Sequence, residues 1–339
     1  MPAENAVLKW SHGIFSIQAL GGMIGAGAFT LPDGRQVSPL FIAPWWNEAG
    51  HELDGLTTGL RGEWPCVPFG YPMPKGSFTS RWQAVMDDAD RYDDVHGYSS
   101  NHAWQFVPQA DSDFVELSID YPVDHSISHL VRRLRGVAGE PRIDLELEIH
   151  ARQACRMPVA LHACFALPSQ PGAAQLIPGA FKSGSTFPGV IEPGAEIFAK
   201  DEQFTRLIAV PSLDGKEIDA SHLPLLGSAE ELLQLNDVDG RATLRHLVDR
   251  YEVAISWDKA LLPSILLWYS NKGRQGAPWL GRTLCIGIEP SSSAFGLSPR
   301  TSAAANPIAT AGTRTAIDLA PDEPLTIRYS IAVNHLSAS

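Results

Sequence analysis

Apolar and polar residues alternate with a period of two along much of the chain. Ile143, Leu145, Leu147 and Ile149 interleave with Asp144, Glu146, Glu148 and His150. This is the pattern of a strand with one face in a core and the other in water. Tyr251, Val253, Ile255 and Trp257 repeat it, as do Ile327, Tyr329, Ile331 and Val333 against Thr326, Arg328, Ser330 and Ala332. Nearer the start, Ile14 to Leu20 and Met23 to Leu31 read as strands around Gly21-Gly22. Asp33-Gly34 then signals a hairpin before a strand over Gln36 to Phe41. One segment reads as helix: Ser228-Ala229-Glu230-Glu231 matches a capping box, Leu232, Leu233 and Leu235 follow, and Asn236 to Gly240 ends it. Two stretches read as loops, Leu53 to Ser80 and Ser291 to Thr315, with strand-like sequence on both sides of each. The expected class is all-β, a sandwich of large antiparallel sheets with few short helices.

Composition supports many short strands. The chain has 339 residues, among them 29 Gly and 26 Pro, enough punctuation to exclude long helices. Length alone would allow two domains, but sandwiches of this size fold as one unit, and a single unit over residues 1–339 is expected. With 44% apolar and 19% charged residues the chain can bury a sizeable core. The net charge of −12 provides no cationic field for nucleic acid or an anionic membrane, so neither is an expected partner. No apolar run approaches the roughly 18 residues that span a bilayer. Met1 to Trp10 carries Glu4, Asn5 and Lys9 without an apolar stretch, so no export leader is read and a cytoplasmic location is expected. Cys66, Cys155, Cys164 and Cys285 form no C-x-x-C pair and read as buried thiols.

Three places could carry chemistry. Asp94-Val95-His96-Gly97-Tyr98, with Asn101 and Trp104 beyond it, sets a histidine on a loop just ahead of a strand over Ala103 to Val107. Its ordinary pKa suits proton transfer, though a surface turn would hold such a residue equally. In Pro158 to Phe165, His162 interrupts an apolar strand between the small residues Ala160 and Cys164. That leaves room for a ligand, or for a core histidine satisfied by a neighbour. Cys285-Ile286-Gly287-Ile288-Glu289-Pro290 puts a carboxylate at the end of an apolar strand, which Pro290 is expected to terminate. A carboxylate there is either hydrogen-bonded or raised in pKa. The loop aromatics Trp45, Trp46, Trp64, Tyr71, Trp82 and Trp279 can face a sugar ring or cap the core.

These motifs occur in the order found in a known group. The chain resembles the aldose 1-epimerase (galactose mutarotase-like) superfamily from about Ile14 to Val333. The opening Gly21-Gly22, Asp33-Gly34-Arg35-Gln36-Val37 and Pro39-Leu40 is similar to its first hairpins. Gly62 to Gly70 resembles its G-x-x-P-x-x-P-x-x-G loop, His96-Gly97 its HG motif, Leu161-His162-Ala163-Cys164-Phe165 its second histidine strand, and Gly287-Ile288-Glu289-Pro290 its glutamate strand. The resemblance implies a β-supersandwich whose concave sheet binds a sugar. It further implies interconversion of α and β anomers by acid/base ring opening, with no metal or organic cofactor. Glu289 would take the proton of the anomeric hydroxyl, His162 would protonate the ring oxygen, and His96 would contact the sugar near that oxygen.

Some positions depart from the pattern. Cys164 stands where an aromatic residue is common. The arginine and aspartate that hold sugar hydroxyls have no clear counterpart; Arg61 and Arg81 are candidates for the first and Asp201 for the second. Asn101, Trp46, Trp64 and Trp279 are further candidate contacts. The run from Ser270 to Arg282 is basic in an acidic chain, so Arg274 and Arg282 could read an anionic or phosphorylated sugar, or the run could be a solvated hairpin tip. A sugar-phosphate mutarotase and a non-catalytic sugar-binding protein on the same fold therefore stay open, as does monomer against homodimer.

Overall fold

The alternating segments form strands, and the strands assemble into two large antiparallel sheets laid face to face. The structure, a computed structural model, describes residues 5–48, 53–86 and 94–336; the first four residues of the segment read for a leader lie outside them. One sheet has eleven strands among the described residues. Its middle runs, in lateral order, through Ile24–Thr30, Glu63–Cys66, Val159–Ala166, Leu284–Ser292, Ser264–Asn271, Ala229–Asn236 and Ser183–Thr186. The second has nine, with Arg241–His246, Tyr251–Trp257, Leu325–His335, Arg142–Ala151, Ile127–Gly136 and Phe114–Asp120 as neighbours. No helix among the described residues is long and apolar enough to cross a membrane.

Side-chain parity explains the layering. Ile143, Leu145, Leu147 and Ile149 point into the space between the sheets, where they meet Leu161, Ala163, Phe165, Ile286 and Ile288 from the other sheet. The intervening polar positions face outward. There Arg133 bridges Glu116, Glu146 and Glu148 at 2.7–2.8 Å. The preceding residue, Arg132, has the opposite parity and is fully buried. It pairs with the Glu63 carboxylate and donates to Gly22 O at 2.8 Å, and Tyr329 donates its hydroxyl to Glu63 at 2.8 Å. A buried ion pair is tolerated because each partner is hydrogen-bonded.

The other face of the eleven-stranded sheet carries a second apolar cluster. Ala160, Cys164, Leu266, Trp268 and Cys285 come from its strands, and Phe41, Trp45, Leu56, Leu60, Phe69, Trp82 and Phe295 come from the segments folded over it. Successive residues of the same strands therefore serve different layers.

Two expectations need correction. The segment read as a capped helix is the strand Ala229–Asn236, paired along its whole length from Ala229↔Asn271 to Asn236↔Ser264. Glu230 and Glu231 point to opposite faces: Glu230 accepts the Trp268 indole proton at 2.7 Å and Glu231 accepts from Phe198 N at 2.9 Å. Ladder pairing on both sides outweighs a weak local helical preference. Pro290 does not end its strand either, since Leu284–Ser292 runs through it with Ile265 opposite. The ladder to Val159–Ala166 holds at Ala160↔Ser291 and Cys164↔Gly287 but records no pairs between them. A residue without an N–H costs little in such an interval.

The strands expected over Gln36 to Phe41 and Ala103 to Val107 are shorter, Gln36–Val37 and Gln105–Val107. The loop from Leu53 to Ser80 contains the strand Glu63–Cys66 and two short 3-10 turns, and Ser291 to Thr315 contains two single-turn helices. Of the four free thiols, Cys66, Cys164 and Cys285 are buried and Cys155 is only half-buried.

Candidate active site

His162 and Glu289 occupy mutually opposite positions of adjacent strands, inside the interval where that ladder is open. Both point away from the inter-sheet core into a cavity of about 230 Å³. His162 Nε2 lies 3.4 Å from Glu289 Oε1. Gly287, two residues before Glu289 on the same face, makes room for the carboxylate: a Cβ there would overlap Oε1 and sit 3.0 Å from Trp268 Cβ.

The imidazole of His162 is held from two sides. The Trp64 indole on the neighbouring strand stacks on it, centroids 4.1 Å apart and planes 12° off parallel. The Cys164 thiol lies 3.3 Å from Nδ1. A thiol can donate to a bare Nδ1 or accept weakly from Nδ1–H, so this contact survives a change in the ring's protonation. Burial pushes the Cys164 thiol well above its ordinary pKa, so it stays protonated.

His96 reaches the same cavity from the loop. Its backbone is left-handed, φ 60°, and Gly97 follows at φ 89°. A Cβ on Gly97 would run into the backbone of Val67 and Pro68, which explains a glycine there. The His96 ring stacks on Phe69, centroids 5.0 Å apart, and meets His162 edge-on at 4.9 Å. Its Nδ1 is buried with no partner among the described residues. A ring nitrogen left open in a cavity is available to a ligand.

Burial sets the electrostatics. It holds Glu289 well above the usual carboxylate range. It drives His162 well below the ordinary histidine value, reinforced by the neighbouring His96. His96 itself falls to about 3, from burial and then from the positive charge of Arg274. An acid pushed up and a base pushed down at 3.4 Å can share a single proton.

The other candidates divide sharply. Arg274 and Trp279 line the cavity. Arg274 lies over the Trp279 ring, 4.5 Å from its centroid, and its Nε donates to the buried Glu230 carboxylate at 2.9 Å. Trp64 contributes through its stacking on His162. Asn101 fixes the His96 loop: its amide donates to Val95 O at 2.7 Å and Gly97 O at 2.8 Å, and its carbonyl accepts from Leu56 N at 3.0 Å.

The remaining five lie outside the cavity lining. Arg61 is buried against Gln18, to which its Nε donates at 2.7 Å, and stacks over the exposed Trp46. Arg81 and Asp201 bind each other at 2.7 Å, and Asp201 also accepts from Thr79 and the Trp82 indole. Both nitrogens at the Arg282 tip go to Glu48, at 2.6 and 3.0 Å. Arg81, Asp201 and Arg282 have their charges matched by these neighbours, and Arg61 is held by the neutral Gln18 amide, so all four are engaged away from the cavity. Glu230 was not anticipated: in a strand reading, its parity with Leu232 places it on the cavity side, and the helical reading hid that.

No protein-family model matches the chain, and no curated protein matches it. Solved structures do. A protein from Synechocystis sp. PCC 6803 is 14% identical with a TM-score of 0.64, over 99% of this chain and 97% of that one. The aldose epimerase homologue from Caenorhabditis elegans is 12% identical at 0.63, over 99% and 100%. The galactose mutarotase related enzyme from Lactobacillus acidophilus is 11% identical at 0.59, over 99% of both chains. At these identities the likeness establishes the fold, a galactose mutarotase-like β-sandwich.

Proposed function

We propose that the protein interconverts the α and β anomers of an aldose or a close derivative by acid/base ring opening. The observation that carries this reading is the buried His162–Glu289 pair, 3.4 Å apart in the wall of one cavity. The anomeric hydroxyl oxygen and the ring oxygen of a cyclic sugar are bonded to the same carbon. Groups that serve them must therefore sit within a few ångström of each other, and these two do.

The proton inventory supports the same reading. Glu289 as carboxylate takes the anomeric hydroxyl proton while His162 as imidazolium gives one to the ring oxygen. The C1–O bond to the ring oxygen breaks and the anomeric carbon becomes an aldehyde. Rotation about the adjoining C–C bond presents its other face, and the reverse transfers close the ring. Ring opening converts a buried ion pair into a neutral acid and a neutral imidazole, the forms that burial favours at both groups. The environment thus lowers the cost of the bond-breaking step. His96 Nδ1, buried and unpartnered, is suited to a hydrogen bond at the ring oxygen. Because Glu230 neutralises Arg274, the cavity has little net attraction for a phosphorylated sugar.

The test is anomer exchange, followed by NMR saturation transfer or polarimetry on a panel of aldoses. Wild-type protein accelerates exchange, and Glu289→Gln and His162→Asn each abolish the acceleration. Saturable sugar binding without acceleration would instead identify a binding protein. Wild-type exchange surviving in Glu289→Gln would refute the assignment of the base.

A further inference from the structure

Among the described residues the cavity offers few hydrogen-bonding side chains for a sugar. Its described walls are built largely from Leu56, Leu60, Met73, Ile191, Leu232 and Phe295. Beyond His96, His162 and Glu289, the lining residues with polar side chains are Thr57, Tyr71 and Arg274, besides the two indoles. One of those indole donors is already committed, since Trp268 Nε1 donates to Glu230 at 2.7 Å. Arg274 spends its Nε on the same carboxylate and lies over Trp279. Tyr71 is 41% exposed, so it belongs to the rim.

A fully hydroxylated hexose brings a hydroxyl on nearly every carbon. With the anomeric hydroxyl and the ring oxygen served by the acid/base groups, most of the others would meet aliphatic carbon. A hydroxyl taken out of water without a partner loses its hydration and gains nothing in return. A C–H or methyl group at the same place is favoured by the same wall.

We propose that the cavity selects a deoxygenated aldose, a pyranose in which at least one hydroxyl other than the anomeric one is replaced by hydrogen. This rests on the epimerase reading for its chemistry and on the apolar lining for its selectivity. Among the described residues, Thr57 and the part of Arg274 not held by Glu230 read the hydroxyls that remain.

The experiment compares D-glucose and D-galactose with their monodeoxy analogues, each lacking one hydroxyl other than the anomeric one. Anomer exchange gives kcat/KM for every sugar, and quenching of tryptophan fluorescence by sugar gives the affinity independently. The expected result is that at least one monodeoxy sugar exceeds its parent in kcat/KM by about tenfold or more, the scale at which an apolar pocket discriminates against an added hydroxyl. If both parents equal or surpass all their analogues, the proposal is overturned while the epimerase reading stands. If no sugar shows accelerated exchange, the epimerase reading falls and binding decides: tighter binding of a monodeoxy sugar supports the selectivity. Equal, weaker or undetectable binding overturns it.

Discussion

Replacing Gly287 by alanine should disable the site while leaving the sandwich standing. The backbone at Gly287 does not need glycine, since its φ lies outside the left-handed region. The added Cβ would overlap Glu289 Oε1 and approach Trp268 Cβ to 3.0 Å. The carboxylate is the mobile partner, and relieving the overlap moves it by about 1 Å. A misplacement of that size costs about a hundredfold in rate, or about 2.7 kcal/mol of transition-state stabilisation. Stability should change by less than about 2 kcal/mol, because the Trp268 contact needs a shift of only a few tenths of an ångström and alanine restricts the unfolded chain. Anomer exchange by NMR, with a thermal melt of the same sample, separates the two effects. Exchange within about threefold of wild type would refute the reasoning, since the position of the carboxylate would then not control the rate.

Other outcomes follow from the same geometry. Asn101→Ala removes the side chain that holds Val95, Gly97 and Leu56; exchange should fall about tenfold or more as His96 loses its position, with only about 1–3 kcal/mol of stability lost by chemical denaturation. Glu63→Gln strands the buried Arg132 guanidinium and should cost about 3–5 kcal/mol, and a loss under about 1 kcal/mol would show that the pair is not desolvated. Folding raises the Glu289 pKa, so the folded state binds this proton more tightly than the unfolded chain does, and the associated stability is lost as pH rises through the folded value. Glu289→Gln should therefore stabilise the protein more at alkaline than at acidic pH, as urea titrations at several pH values would show. His96 has the opposite sign. Its pKa falls from 6.5 to about 3 on folding, so stability is lost as pH falls through that window, and His96→Asn should flatten the decline.

Much of the sandwich was legible because period-two patterning reports directly on which face of a strand is buried. Ile143 to Ile149 and Ile327 to Val333 were readable for that reason. Ala229–Asn236 was not, because both its faces are buried. Glu231 on the core-facing side and Leu232 on the other break the alternation, and the Ser-Ala-Glu-Glu start then resembles a helix cap. Pro290 misled for a related reason: the rule that proline ends a strand assumes an intact ladder, and here the ladder is open beside it.

Within the site, His96, His162 and Glu289 were found as polar residues where apolar or glycine-bounded sequence made them conspicuous. Their convergence came from the ordered resemblance rather than from spacing. The candidate arginines were harder. Arg61, Arg81 and Arg282 look alike in sequence, and only the positions of Gln18, Asp201 and Glu48 show that their guanidinium groups are already engaged, the last two by a matching charge. Arg274 differs because its partner, Glu230, holds it at the cavity wall.

The division of labour along Val159–Ala166, Ser264–Asn271 and Leu284–Ser292 makes the protein easy to redesign in one respect and brittle in another. Positions 160, 164, 266 and 268 can be exchanged to suit a new ligand while 161, 163, 265, 267, 286 and 288 keep the sheets laminated. Point substitution can therefore retune recognition without renegotiating the fold. Deleting one residue from any of these strands is different in kind. It would turn Ile288 toward the ligand and Glu289 into hydrocarbon, so the pocket and the framework would fail together.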